Sequence, residues 1–164
     1  EIKENYKLVG NIPYYLTGNL LRIVSELKQM PKLIVLTTQK EVAERMCANP
    51  PKMNLLAASV SYWGTPEIVR YISKNSFKPV PKVDSAIIKI SPHENKNDID
   101  SKKFYGVLKI LFSQPRKTIA NNLSGGLGKD KENIEKLLIS LDIEPKLRPQ
   151  NLELDDIKKI AGHL

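Results

Sequence analysis

The sequence has a single cysteine, Cys47, so it cannot close a disulfide within itself. Its two histidines, His93 and His163, stand far from Cys47 and from each other, which leaves no His/Cys group with metal-ligand spacing. Long apolar runs are also missing. The longest, residues 33 to 36 and 55 to 60, fall far short of a bilayer span, and no signal-peptide pattern opens the chain. These absences predict a cytoplasmic protein with no membrane partner. Cys47 follows Met46 in a helical pattern, where a buried structural thiol is expected instead of a nucleophile.

Acidic residues are unevenly distributed. The formal net charge is +8, which favours an anionic partner. Residues 101 to 129 hold six cations (Lys102, Lys103, Lys109, Arg116, Lys117, Lys129) and no acid, whereas residues 130 to 164 hold six cations against eight acids. A second basic stretch carries Arg70, Lys74, Lys78, Lys82 and Lys89 against Asp84 alone. Any one of these lysines taken singly reads as a solvated surface charge. Two acid-poor stretches together read as a located positive field.

The first part of the chain alternates in period. Residues 6 to 10 read as a strand, 17 to 29 as a helix, 32 to 38 as a buried strand rich in β-branched residues, and 39 to 48 as a helix. Residues 54 to 63 fit a short helix or a strand, and helix is chosen. "EIVRYIS" and "VDSAIIKI" then alternate as strands around the proline-punctuated "KNSFKPVPK". After the polar "SPHENKNDIDSK" only helical patterns remain, at residues 102 to 112, 115 to 123, 131 to 141 and 154 to 161. "SGGLG" and "EPKLRPQN" read as breaks, and Asn151 or Glu153 to Asp155 as the cap of the last helix. The predicted organisation is an α/β region at 1–91, a linker at 92–101 and a small all-α domain at 102–164. A parallel sheet made from these strands has few members and an unprotected edge, and the chain starts at Glu1 instead of methionine. Both lead to the expectation that this is the later portion of a longer protein, with an earlier set of βα units preceding it.

Asn11-Ile12-Pro13-Tyr14 falls where the first strand hands over to the first helix. Loops beyond the carboxyl ends of parallel strands are where open α/β sheets keep their ligands. Proline fixes its own φ and pushes Ile12 into an extended conformation, which aims the Ile12 carbonyl away from the following helix. The Asn11 side chain adds a second neutral oxygen. Two acceptors on a stiff turn suit both hydrogens of an exocyclic amine such as that of adenine, and Tyr14 offers a flat face for the base. The motif has neither a Ser-His-Asp set nor a carboxylate pair, and amine attack on a sulfonium methyl needs neither. The other reading stays open at this point: Asn11 bends the turn, Pro13 starts the helix and the tyrosines pack.

Asn-x-Pro-Tyr after a strand, then "TTQKEVAERM", "FKPVPKVDSAIIKI", "FSQPRKTIANNL" and "LRPQNLELDDI", in this order, resembles the small-subunit ribosomal RNA adenine dimethyltransferases. The erythromycin-resistance RNA methylases are more distant relatives. The resemblance implies the later half of a Rossmann-like S-adenosylmethionine-dependent methyltransferase domain followed by a small all-α domain. It implies dimethylation of the N6 amines of two adjacent adenosines near the 3′ end of small-subunit ribosomal RNA, and a role in ribosome biogenesis. Asn11 and Pro13 would meet the methyl donor, with Asn11, Ile12, Pro13 and Tyr14 forming the catalytic corner. Tyr14 and Phe77 would stack on the target base from either side. Lys40, Lys78, Lys82, Lys109, Arg116 and Lys117 would contact RNA. Arg116 and Lys117 are read as opening a helix, where cations oppose the macrodipole and phosphate contact gives a reason for them. Many members carry an arginine at the position of Pro115, which removes one such contact here. The family's glycine-rich donor loop lies outside these residues, so the chain alone is expected to be inactive; "GGLG" at 125 to 128 reads as a turn between helices. The expected partner is small-subunit RNA in a pre-30S-type particle, bound by a monomer. Two rivals are carried: an adenine methylase acting on DNA or large-subunit RNA, and a non-catalytic RNA-binding assembly factor.

Overall fold

The computed structural model describes residues 5 to 94 and 99 to 164, so 95 to 98 of the expected linker lie outside the described residues. The chain forms two compact units, Glu1–Cys47 with Val60–Lys96, and Ala48–Ser59 with Asn97–Leu164.

The first unit is built on a mixed sheet of β1 (Lys7–Asn11), β2 (Leu33–Gln39), β3 (Gly64–Ile72) and β4 (Ser85–Pro92), in the order β1-β2-β4-β3. β1 and β2 run parallel, joined through α1 (Thr17–Ser25); β4 enters antiparallel between β2 and β3. Alternation in "LIVLTTQ" and "SAIIKI" decides the packing. Ile34, Leu36 and Thr38 of β2, and Ile88 and Ile90 of β4, are buried, while the residues between them are half-exposed. α1 buries Leu21 and Val24, and α2 (Lys40–Met46) buries Ala43 and Met46. β1 is an edge strand, and its Val9 is 73% exposed.

The second unit is helical. It contains α4 (Ser101–Leu111), α5 (Ile119–Leu127), α6 (Lys131–Ser140) and α7 (Leu154–His163). The ambiguous stretch before it forms α3 (Leu55–Ser61), in whose first turn the N–H groups of Leu56 and Ala57 donate to Asn54 Oδ1 at 3.1 Å. α4 packs on α5 and α7, and α5 on α6, around Phe104, Leu108, Leu111, Leu123, Ile134, Leu138 and Ile157. Each helix start has at least one N–H answered by a neighbouring side chain. Asp100 accepts from Lys102 and Lys103, Thr118 from Asn121, and Asp130 from Asn133, while at α7 the Glu153 N–H donates to Asp156.

Two expectations are corrected here. The helix predicted from residue 115 starts at Ile119 behind the Thr118 cap, so Arg116 and Lys117 precede the helix instead of opening it. Proline at 115 and a threonine hydroxyl able to cap explain the shift. The supposed break "SGGLG" is instead helical through Leu127. Gly126 is there because a Cβ would lie 2.4 Å from Ile110 Cγ2, and the turn comes at Gly128, whose φ of 64° ends α5.

Candidate active site at the sheet edge

The carboxyl ends of β1 and β2 and the start of β4 meet at one edge of the sheet. Asn11 is the last residue of β1, in register with Thr37, and is exposed. Ile12 is half-buried, and Pro13 carries the extended ψ of 134° that turns the chain out of the strand. The Pro13 carbonyl is committed, accepting from the Leu16 N–H at 2.9 Å and closing a short 3-10 turn over Tyr14–Leu16. Tyr14 is half-buried and hydrogen-bonded through its hydroxyl to Ser85 Oγ at 2.6 Å, while Tyr15 is 83% exposed. Beneath the turn, the buried hydroxyls of Thr17 and Thr38 lie 3.3 Å apart, tying the start of α1 to the end of β2. The corner is thus braced from below and open above. It contains no charged side chain, so its oxygens are neutral acceptors.

The segment returning to this edge carries the second aromatic. Phe77, half-buried, follows a 3-10 turn at Lys74–Ser76 and donates its N–H to the Lys74 carbonyl at 3.2 Å. Asp84 locks the end of this loop: its carboxylate accepts the Lys74 N–H and its carbonyl accepts the Lys40 N–H, both at 3.0 Å. Lys40 and Lys82 come together, with Lys74, in a cleft of about 360 Å³ that also presents Glu41, Glu44 and Asp84. The Lys40 ammonium lies 5.2 Å from the centre of the Tyr71 ring, and the Tyr71 hydroxyl donates to Glu44. Lys78 is exposed on the Phe77 loop. Lys89, counted with the basic stretch, is spent on Glu67 at 2.6 Å. Cys47 is half-buried at the end of α2. Burial pushes its thiol above the ordinary value, the Glu67 carboxylate adds to the rise, and a hydrogen bond with the Ile68 backbone opposes it. That direction makes a weaker nucleophile.

Lys109, Arg116 and Lys117 belong to the second unit and are all exposed, and among the described residues none is in an ion pair. Arg116 and Lys117 sit on a tight turn in which the Lys117 N–H donates to the Gln114 carbonyl at 2.9 Å. Asn122, 3% exposed, holds that turn from inside by donating Nδ2–H to the carbonyls of Leu111 at 2.8 Å and Gln114 at 3.1 Å. Sequence reasoning passed over both Asn122 and Ser85. An amide in an otherwise apolar helical stripe, and a serine opening a run of buried β residues, were the available signals.

Relatives place the chain in a family. The family model Ribosomal RNA adenine dimethylase matches residues 1–161. Ribosomal RNA small subunit methyltransferase A of Dehalococcoides mccartyi is 37% identical over 158 residues, covering 95% of this chain and 54% of that protein. Its namesake in Mycoplasmopsis pulmonis is 39% identical over 155 residues, covering 93% of this chain and 61% of the relative. The chain thus spans little more than half the length of these relatives. Among solved structures, a dimethyladenosine transferase from Plasmodium falciparum superimposes with a TM-score of 0.84 at 26% identity, covering 98% of this chain and 66% of that one. The 23S rRNA methyltransferase ErmE, at 20% identity and a TM-score of 0.74, shares the fold, which is the Rossmann-like one of S-adenosylmethionine-dependent methyltransferases. The chain belongs to the ribosomal RNA adenine dimethylase family.

Proposed function

We propose that this chain carries the base-binding corner and the RNA-contacting helical region of an enzyme that dimethylates the N6 amines of two adjacent adenosines near the 3′ end of small-subunit ribosomal RNA. The observation that carries the reading is the corner itself: an exposed Asn11 at a strand end, a proline-fixed turn and a half-exposed Tyr14, with no charge among them. The N6 lone pair of adenine is delocalised into the ring. Acceptance of both N–H groups, by the Asn11 side chain and the Ile12 carbonyl, draws that pair out of conjugation and aims it. The proton leaves to water after attack, so no basic side chain is required. Tyr14 and Phe77 hold the base between them, offsetting the few kcal/mol, roughly, that extrusion from an RNA stack costs.

S-adenosylmethionine fits this corner, since neutral oxygens accept a sulfonium cation that a lysine would repel. When bound it supplies the electrophilic methyl group. Asn11 and Pro13 are the residues here that would touch it. The remaining donor contacts are assigned to residues outside these 164, so the chain by itself transfers no methyl groups. Lys40 and Lys82 in the cleft, Lys78 on the loop, and Lys109, Arg116 and Lys117 on the helical unit serve as phosphate contacts. We place the protein as a monomer in the cytoplasm, acting on a pre-30S-type particle during ribosome biogenesis.

The test is labelled-methyl transfer by the intact protein to small-subunit particles, with nucleoside analysis of the product. N6,N6-dimethyladenosine in small-subunit RNA supports the reading. Transfer to DNA or to large-subunit RNA instead would replace the substrate, and binding without transfer would leave an assembly factor. Transfer by the 164 residues alone would show that the donor site is complete here.

A further inference from the structure

We infer that Ser85 is a positioning residue for the target base, acting through the hydroxyl of Tyr14; this rests on the reading of Tyr14 as the base's stacking platform. Ser85 is 0% exposed, yet its Oγ lies 2.6 Å from the Tyr14 Oη, a contact spanning 71 residues of sequence. A tyrosine ring on a turn swings about its side-chain torsions. This one is fixed at both ends, at its backbone by the Leu16-to-Pro13 bond and at its tip by Ser85.

The anchor itself is rigid. Ser85 opens β4, an inner strand, in register with Gln39 on one side and Ile72 on the other, and Asp84 beside it is pinned by the N–H groups of Lys40 and Lys74. The same strand start terminates the loop that bears Phe77. Ser85 therefore connects the two aromatic residues of the proposed sandwich, one through a hydrogen bond and the other through the chain. A platform held in place before the base arrives loses little freedom when it stacks, so the tether acts on the rate of the bound complex more than on encounter. A phenylalanine ring presents the same apolar face but, without the bond to Ser85, is not held in place to stack.

A double-mutant cycle in the intact protein tests this, using Ser85→Ala, Tyr14→Phe, their combination, and Tyr14→Ala. Methyl transfer to small-subunit particles gives kcat and KM; quenching of 2-aminopurine placed at the target position of an RNA oligonucleotide reports stacking. Ser85→Ala and Tyr14→Phe should each lower kcat about five- to tenfold, the worth of one hydrogen bond, with KM within about twofold. The combination should be no worse than either alone, and quenching should weaken equally in all three. Losses that multiply in the double variant, or wild-type kcat in Tyr14→Phe, would overturn the tether. Tyr14→Phe removes the bond from the end outside the strand, so the test survives if Ser85→Ala perturbs the strand. Should Tyr14→Ala itself transfer methyl groups at the wild-type rate, the platform reading falls instead.

Discussion

Ser85 in the first unit and Asn122 in the second are buried polar side chains that each hold part of an exposed turn, and the two anchors work differently. Ser85 reaches out to the tip of a half-exposed side chain with a single hydroxyl bond. Asn122 grips main chain, giving both Nδ2 hydrogens to carbonyls, one of them on the fully buried Leu111. If Ser85 is removed, the half-buried Tyr14 side chain can turn its hydroxyl to water. If Asn122 is removed, no such replacement is at hand for the Leu111 carbonyl. A buried donor that serves a side chain tunes a site, whereas one that serves the backbone maintains the fold.

The largest effect expected on the catalytic side comes from the residue neither anchor touches. Asn11→Ala in the intact protein should lower methyl transfer about 10²- to 10³-fold, the range for deleting one preorganised hydrogen-bonding group at a reacting centre, with RNA affinity within about twofold of wild type. Unchanged transfer would move the chemistry away from the corner and dissolve the contrast. On the helical side, Asn122→Ala should cost about 2 kcal/mol and lower the melting temperature by about 4 to 8 °C, while Ser85→Ala shifts it by less than about 2 °C. Equal melting shifts in the two variants would erase the distinction between the anchors.

Two adjacent glycines of α5 sharpen the same contrast with opposite signs. Glycine inside a helix costs about 1 kcal/mol relative to alanine, so propensity alone favours replacing both. A Cβ at Gly125 meets nothing, and Gly125→Ala should stabilise by about 0.5 to 1 kcal/mol. At Gly126 the Cβ would sit 2.4 Å from Ile110 Cγ2, and overpacking of roughly 1 to 3 kcal/mol outweighs the propensity gain. Gly126→Ala should therefore destabilise by about 1 kcal/mol, and denaturant titration separates the two variants.

Much of the fold was legible because period is a local signal. The β-branched run of residues 32 to 38 and the alternation of residues 83 to 90 marked strands that bury Ile34, Leu36, Ile88 and Ile90, and the helical pattern of residues 102 to 112 marked α4. Asn11 to Tyr14 stood out as candidates because they fall where the first strand hands over to a helix. What stayed hidden depends on contacts distant in sequence. Gly125 and Gly126 read as a break because the side chain that makes Gly126 necessary, Ile110, lies on another helix. Arg116 and Lys117 read as helical because helical spacing continues across a turn whose boundary is set by Thr118 and by Asn122 reaching back. Ser85 looked like one more residue of a buried run until its partner, 71 positions away, was in place.

The relocation of Arg116 and Lys117 changes what they should do. On the first turn of a helix they would oppose the macrodipole, and neutralising either would strengthen the helix as it weakened RNA binding. Ahead of the Thr118 cap, on a turn locked by the Gln114 carbonyl, that stabilising gain disappears. Arg116→Ala and Lys117→Ala should therefore leave the melting temperature within about 1 °C, and each should lower the slope of log affinity against log salt for small-subunit RNA by about 1. Lys40→Ala serves as the comparison from the sheet unit. Its ammonium is shared with the Tyr71 ring, and Glu41 and Glu44 of the same helix line the same cleft, so less of its charge is available to a phosphate. A slope change for Lys40→Ala smaller than for Arg116→Ala is the expected order, and the reverse order would place the principal phosphate contacts beside the corner instead of on the helical unit.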